Sequence, residues 1–231
     1  MNRYALLALP ILCTVLLAPG PAAAQESGYY VRVAPAFSRT SVEHVKEVFI
    51  GQALSGTSSS ATAPELSMSL AGGFRGQPAR GWFVGLEVEG MIFAPRVIEA
   101  DLDPTAGNAP DDIGAGMWEY SNKGGMGANV VLERALGARP QRLLFFAGVH
   151  RMRTEVASGG THRGTGQFEE DREIRSRWPF TGGGGVAWGP MHLRVSYFSS
   201  LINWSFLSPE IEVHYSWRAS GVAVSLGAEV F

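Results

Sequence analysis

The sequence predicts an all-β protein, a closed antiparallel eight-stranded transmembrane β-barrel with up-and-down connections. From Gly28 onward, apolar residues alternate with polar or small ones, which is the period of strands with two unlike faces. Short and long connections also alternate along the chain. Finally, 29 of the 231 residues are Gly, and each Gly inside a helix costs about 1 kcal/mol. These observations favour a meander of strands over a helical bundle.

The first 24 residues have the features of a signal peptide. Arg3 precedes an apolar stretch over 4–18, and Ala22, Ala23 and Ala24 form a cleavage site of small residues. The alternative, a retained anchor, is disfavoured because a spanning helix needs about 20 apolar residues. Cleavage after Ala24 would remove Cys13, the only cysteine. The mature chain, residues 25–231, is then a single barrel domain without a disulfide framework or a Cys-based zinc site.

Eight strands follow from the alternation. In 65–76, for example, Leu66, Met68, Leu70 and Phe74 share one face. The predicted strands are 28–38, 65–76, 81–97, 117–134, 142–156, 173–187, 191–200 and 220–231. The connections between them are short at 77–80, 135–141 and 188–191, and long at 39–64, 98–116, 157–172 and 201–219. Residues 211–217 also alternate, and either extend the last strand or form a hairpin within a loop.

Aromatic residues indicate which face of the barrel is outside. Trp82 and Trp188 lie beside short turns, whereas Trp118, Tyr120 and Trp178 lie beside long loops, all in the apolar phase. Trp178 and Trp188 are ten residues apart, or ~33 Å of strand, which a tilt of about 40° projects to ~25 Å, the height of a lipid-facing band. We therefore expect the apolar face to contact lipid. The alternative is a soluble lipocalin-like barrel with its apolar face inside.

The opposite, polar phase is then predicted to line the lumen. An eight-stranded barrel encloses a space that side chains can fill, so these groups are expected to pair and to leave no wide pore. A narrow channel through an arginine-rich constriction is the alternative. The predicted lumen residues are Arg32, Arg75, Glu87, Glu89, Lys123, Glu133, Arg175, Arg177 and Arg194.

Part of the sequence resembles a known family. The stretch RSRWPFTGGGGVAWGPMHLRVSYF, residues 175–198, is similar to the penultimate hairpin of the small porin-family, OmpA-like outer-membrane barrels of Gram-negative bacteria. The segment GWFVGLEVEG, residues 81–90, and the final Phe231 fit the same family. The resemblance implies an eight-stranded barrel in the outer membrane, inserted by the barrel-assembly machinery that reads the last strand.

The last strand departs from that family pattern. Apolar residues in phase with the terminal aromatic are expected, but Glu229, Gly227 and Ser225 hold those positions. The apolar phase instead contains Val222, Val224, Leu226, Ala228 and Val230. A missing residue near the terminus, or a bulge near 219–221, would explain the offset.

One catalytic hypothesis arises from a second resemblance. His214 lies two residues before Ser216, as in the outer-membrane lipid A deacylases, which are also eight-stranded barrels. A serine nucleophile needs an imidazole to take its proton and a carboxylate to orient the ring, a part for which Glu229 is the candidate. However, Trp217 and Arg218 follow Ser216, where the deacylases have asparagine and a small residue. We therefore expect no enzymatic activity.

No cofactor or metal is expected. The five histidines lack metal-ligand spacing. Two acidic segments, one with Asp101, Asp103, Asp111 and Asp112 and one at 169–173, are interpreted as solvated loops. Bridging divalent cations could connect them to lipopolysaccharide.

The expected role is envelope structure or surface contact. The expected partners are lipopolysaccharide, the assembly machinery and an extracellular ligand at the loops, and the expected state is a monomer. The net charge of −2 disfavours an electrostatic nucleic-acid binder. Deacylase, narrow channel and soluble secreted binding barrel remain as alternatives.

Overall fold

The computed structural model describes residues 27–51, 53–103, 106–107, 113–136, 141–162, 167–207 and 211–230. The predicted signal peptide, Asp111, Asp112 and Phe231 lie outside these ranges. The strands are β1 (Gly28–Ile50), β2 (Ala53–Ala79), β3 (Trp82–Phe93), β4 (Ile98–Leu102), β5 (Ala106–Gly107), β6 (Ile113–Ala135), β7 (Gln141–His162), β8 (Phe168–Arg177), β9 (Phe180–Trp188), β10 (Met191–Leu207) and β11 (Ile211–Val230). Within the described ranges, no helix is long and apolar enough to cross a membrane.

Antiparallel pairing closes the strands into a ring. The order around it is β1, β2, β3, β6, β7, β9, β10 and β11, and β11 pairs again with β1 over Val31–Ile50. Closure satisfies the backbone groups of both the first and the last strand, which would otherwise form open edges. The predicted eight-stranded meander is confirmed.

The prediction of long loops was wrong. The segment predicted as the loop 39–64 is mostly a hairpin in which β1 and β2 stay paired up to Ile50 and Ala53. Much of 98–116, 157–172 and 201–219 is also strand. These segments look like loops in the sequence because their outward residues are polar, so few apolar residues mark the strand. The alternating stretch 211–217 extends the last strand.

Near the turns and the chain ends, the outer face of the ring is apolar. Outward side chains such as Tyr29, Leu86, Phe145 and Val224 are exposed. On β11 this face holds Val222, Val224, Leu226 and Val230, while Glu229 points inward. The offset of the last strand thus places a carboxylate in the lumen. We call this outer surface the apolar band, and the opposite end of the barrel the far end.

At the far end the described strands separate into two sheets. Beyond Ser199, β10 pairs only with β11, and β8 pairs only with β7. One sheet contains the far halves of β2, β1, β11 and β10, and the other contains β4, β6, β7 and β8. Two facing sheets of this kind bury their inner faces against each other, as in a β-sandwich. We call this region the far-end sandwich.

The far-end sandwich has an apolar interior, the reverse of the barrel below it. Trp217 is fully buried, and the ring of His44 stacks on it with centroids 4.4 Å apart. Buried side chains from both sheets form the core: Val42, Val48, Ala63, Ile98, Leu102, Trp118, Tyr120, Val156, Ile202, Val213, Tyr215, Trp217 and Ala219. The reversal indicates a change of surroundings along the barrel axis, from apolar at the band to water at the far end.

The predicted lipid-facing positions of Trp118 and Tyr120 were wrong, because both are fully buried in this core. The register of β6 against β7 shifts between Asn122 and Gly124, as in a β-bulge. Gly124 has a φ of 150°, which favours glycine. Because the side-chain period is two, the extra residue moves even-numbered residues from the outer face, as at Met126, to the inner face.

We predict that Trp217→Ala lowers the free energy of unfolding by about 3–5 kcal/mol, since it leaves a cavity in the far-end core. The control is Trp178→Ala, because Trp178 is 66% exposed and its loss leaves no cavity. Chemical unfolding in detergent micelles, followed by circular dichroism, measures both variants. Equal losses would contradict the assignment of Trp217 to a packed core.

Candidate functional site: the charged lumen

Inside the apolar band, Glu87 of β3 is the centre of a buried ion network. It accepts two hydrogen bonds from Arg194 of β10, at 2.6 Å to Oε1 and 2.8 Å to Oε2. Arg32 of β1 lies 3.3 Å from the same carboxylate and 2.9 Å from Glu89. The hydroxyl of Tyr30 donates to Glu87 at 2.9 Å. These charge-assisted contacts connect opposite walls of the barrel.

Arg75 of β2 connects the second half of the network. It donates to Glu133 of β6 at 2.7 Å and to Glu229 of β11 at 3.1 Å. Arg142 of β7 lies 2.7 Å from the other oxygen of Glu133. The lumen ion network therefore holds four arginines and four glutamates: Arg32, Arg75, Arg142, Arg194, Glu87, Glu89, Glu133 and Glu229. Their formal charges cancel, as burial of ions requires.

A second polar cluster lies nearer the far end. Asn122 donates to Glu65 at 3.0 Å and accepts from Arg177 at 2.7 Å. Arg177 also donates to Thr154 at 2.9 Å and to Ser200. The amide of Asn122 thus bridges a buried cation and a buried carboxylate.

Between these two clusters lies a cavity of about 110 Å³. It is lined by charged groups such as Arg32, Glu89 and Arg194, and by apolar side chains such as Phe146 and Phe198. This volume admits several water molecules. The ion network lies on one side of the cavity, and the Asn122 cluster and the far-end core lie on the other. Among the described residues, the arrangement leaves a space that can hold water or a small solute.

The structure places seven of the nine predicted lumen residues inside the barrel: Arg32, Arg75, Glu87, Glu89, Glu133, Arg177 and Arg194. Lys123 was predicted wrongly. It is the extra residue of the bulge between Asn122 and Gly124, and it points outward, where it pairs with Glu155. Arg175 lies on the inner side of β8 but beyond the closed ring, where it pairs with Glu173 and contacts the Trp204 ring.

Two network members were not among the predicted lumen residues. Arg142 alternates with the outward Leu143 and Phe145, so the phase of β7 contained the signal for it. Glu229 was considered as a catalytic carboxylate, although its place opposite Val230 on β11 already indicated the lumen. Extending the alternation of inward and outward residues to the start of β7 and to the end of β11 would have identified both residues.

Three of the five predicted girdle residues lie on the outside. Trp178 and Trp188 are 66% and 39% exposed. Trp82 is half-buried, and the Arg134 guanidinium lies 4.5 Å from the centre of its ring. These rings flank the apolar band, whereas Trp118 and Tyr120 belong to the far-end core.

The catalytic candidates are not brought together as a triad. His214 points outward from the far-end sandwich, and its Nε2 lies 2.6 Å from Glu212. Glu229 points into the lumen at the other end of β11, where it pairs with Arg75. Because Glu229 lies on the opposite face of the strand, it cannot orient the ring of His214. Among the described residues, no group of three or more His, Cys, Asp or Glu could hold a metal ion.

His44 is the buried titratable group at the centre of the far-end core. Burial lowers its pKa to about 3, and the charge of Lys46 acts in the same direction. The ring is therefore neutral at pH 7. Its Nδ1 donates to the carbonyl of Ser216 at 3.1 Å, and its Nε2 accepts from the hydroxyl of Ser158 at 3.1 Å. His44 thus joins the two sheets of the sandwich through hydrogen bonds.

No protein-family model and no curated protein matches the sequence. Among solved structures, the chain is similar to Neisserial surface protein A (NspA), with 12% identity, a TM-score of 0.39, and coverage of 87% of this chain and 97% of that one. Ail, the attachment invasion locus protein of Yersinia pestis, has 10% identity and a TM-score of 0.32, and the match covers 86% of this chain and 99% of that one. The outer membrane protease OmpT from Escherichia coli has 5% identity and a TM-score of 0.43, and the match covers 85% of this chain and 96% of that one. At these identities and scores, the likeness carries no information about function.

We predict that Glu87→Gln lowers the free energy of unfolding by about 3–5 kcal/mol, because it leaves Arg194 buried without its carboxylate. Adding Arg194→Met should recover part of that loss, since the buried cation is then removed as well. Urea unfolding of the single and double variants in detergent measures the coupling. Additive losses would contradict a direct interaction between the two side chains.

We predict that acidification destabilises the far-end sandwich through His44. With a folded pKa of about 3, the unfolded chain takes up a proton below about pH 6.5 that the folded chain excludes. The loss should approach about 1.4 kcal/mol per pH unit between about pH 6 and pH 4. The measurement is the pH dependence of unfolding for wild type and His44→Gln, in which this contribution is absent. Identical slopes would contradict the prediction.

Proposed function

We propose that this chain is an outer-membrane β-barrel protein that serves envelope structure and surface contact. The observation that carries this proposal is the reversal of polarity along one continuous ring of strands. At the band, exposed apolar residues surround a paired ionic interior, which suits a bilayer. At the far end, the apolar residues are inside, which suits water.

The orientation follows from the connections. The turns after β2 and β9 and both ends of the described chain lie at one side of the band, and the long hairpin extensions such as that of β1 and β2 lie at the other. In outer-membrane barrels, short turns face the periplasm and long connections face the exterior. The far-end sandwich would then project from the cell. Export through a signal peptide cleaved after Ala24, and insertion by the barrel-assembly machinery, complete this proposal.

The far-end sandwich is the proposed contact surface. Two of the strand edges at the far end, those of β8 and β10, differ in charge. Five consecutive charged residues, including Glu169, Arg172 and Glu173, lie along β8 over 169–173, which opposes pairing with another strand. The edge of β10 over 200–207 contains no charged residue, and Leu207 is 73% exposed. An extracellular protein ligand would therefore bind most readily along β10, to a barrel that is itself a monomer.

The lumen supports a structural role over a channel or an enzyme. The ion network and the Asn122 cluster lie on the two sides of the cavity. The carboxylate next to His214 is Glu212, while Glu229, the carboxylate predicted for a triad, pairs with Arg75 in the lumen. A soluble binding barrel would have to expose the apolar band to water, which is unfavourable for a patch of this size.

We predict that the protein separates with the membrane fraction and needs detergent to be extracted. On a gel it should run as a compact band that shifts when the sample is boiled, since a closed barrel resists detergent until it is heated. In planar bilayers it should give no steady conductance, with a wide-pore protein as the positive control. Solubility without detergent would overturn the membrane assignment, and steady conductance would overturn the filled lumen.

A further inference from the structure

Two arginines lie on the outside of the barrel where the apolar band ends. On the outward face of β7, Phe145 and Val149 are apolar and exposed, and the next outward residues are Arg151 and Arg153, which are also exposed. Positions i and i+2 of a strand point the same way, about 7 Å apart. Both side chains therefore leave the strand on its outward face, at the border between apolar and polar surface.

Large side chains flank this pair. Met126 of β6 is paired with Arg151 and is 66% exposed. The register that joins Met152 to Arg177 and Val149 to Phe180 places Trp178 opposite Arg151 on the other side. An exposed tryptophan at this height is typical of the membrane interface.

Neither arginine has a partner of opposite charge among the described residues, unlike the cations around them. Arg172 contacts Glu119, Glu155 and Glu170. Lys123 pairs with Glu155, and this contact lowers the pKa of the carboxyl group. The carboxylates of Glu119, Glu155 and Glu170 are thus already paired with other cations. The positive charge of Arg151 and Arg153 remains available for an external anion.

We propose that Arg151 and Arg153 bind the phosphate group of a phosphorylated lipid in the outer leaflet, an inference that rests on the proposed outer-membrane location. The planar fork of arginine matches the oxygens of a phosphate group, and two such forks on one strand can clasp it from both sides. The acyl chains of the same lipid lie along Met126, Val149 and Phe180, directly below the arginines. A free anion would not use this apolar surface.

The experiment uses the full mature chain, purified in detergent and mixed with diphosphoryl lipid A or with the same lipid lacking its phosphates. Native mass spectrometry then measures the fraction of protein that carries lipid. All samples contain EDTA, which removes divalent cations that could bridge the acidic residues to lipid. The wild type should retain diphosphoryl lipid A and bind the lipid without phosphates at least about tenfold more weakly.

The double variant Arg151→Gln/Arg153→Gln should lose about tenfold or more in affinity for diphosphoryl lipid A. The matched control is Arg39→Gln, because Arg39 also follows the apolar band on the outside, on β1, and lacks an ion pair among the described residues. The control should bind as the wild type does. Inorganic phosphate at millimolar concentration should not displace the lipid.

Four results would overturn the site: unchanged binding by the double variant, an equal loss in Arg39→Gln, equal binding of the lipid without phosphates, or displacement by inorganic phosphate. The comparison of the two lipids uses only the wild type and so does not depend on the folding of any variant. The heat-dependent gel shift separates the two proposals. If the wild type shows the shift but does not discriminate between the lipids, only the lipid site fails; if the shift itself is missing, the barrel assignment fails.

Discussion

Charge inside a closed wall is the constraint on which the rest of the structure depends. A carboxylate such as Glu87, removed from water, is tolerated only with partners of opposite charge and good geometry. Here those partners come from other strands, so the ion pairs also connect the strands across the lumen. Arg75 joins Glu133 of β6 to Glu229 of β11, which holds the closing strand to the opposite side of the ring. The same contacts occupy part of the lumen, as the proposed structural role requires.

The far end obeys the same physical chemistry under different surroundings. Where the proposed contact with lipid ends, the hydrophobic effect favours apolar side chains on the inside. Trp217, Trp118 and Tyr215 therefore replace the ionic interior, and the ring can open into two sheets because water can satisfy free strand edges. His44 is buried in its neutral form because removal from water in this apolar interior disfavours a charged ring.

The sequence could predict the ring because period-two alternation is continuous over the band, and the phase of the strands identified Arg32, Glu87 and Arg194. It could not predict that Trp118 and Tyr120 point inward. One extra residue at the bulge reverses the face of the residues on its far side, while the alternation in the sequence stays intact. The long strands at the far end were missed for another reason. Polar outward residues such as Glu43 and Ser41 resemble those of loops, and only the inward Val42 and Val48 show the strand.

In the proposed function, rigidity and ligand contact belong to different parts of one set of strands. The ion network makes the band a fixed wall, because any displacement of a strand would leave a buried charge without its partner. The far-end sandwich inherits that rigidity through continuous strands such as β1 and β11, so its open edges are held in place without ordering a flexible loop. A ligand that binds a preformed edge avoids the entropy of ordering it. The charged edge of β8 opposes pairing with a strand of a ligand, whereas the uncharged edge of β10 favours it. The ligand would therefore approach this rigid surface from the side of β10.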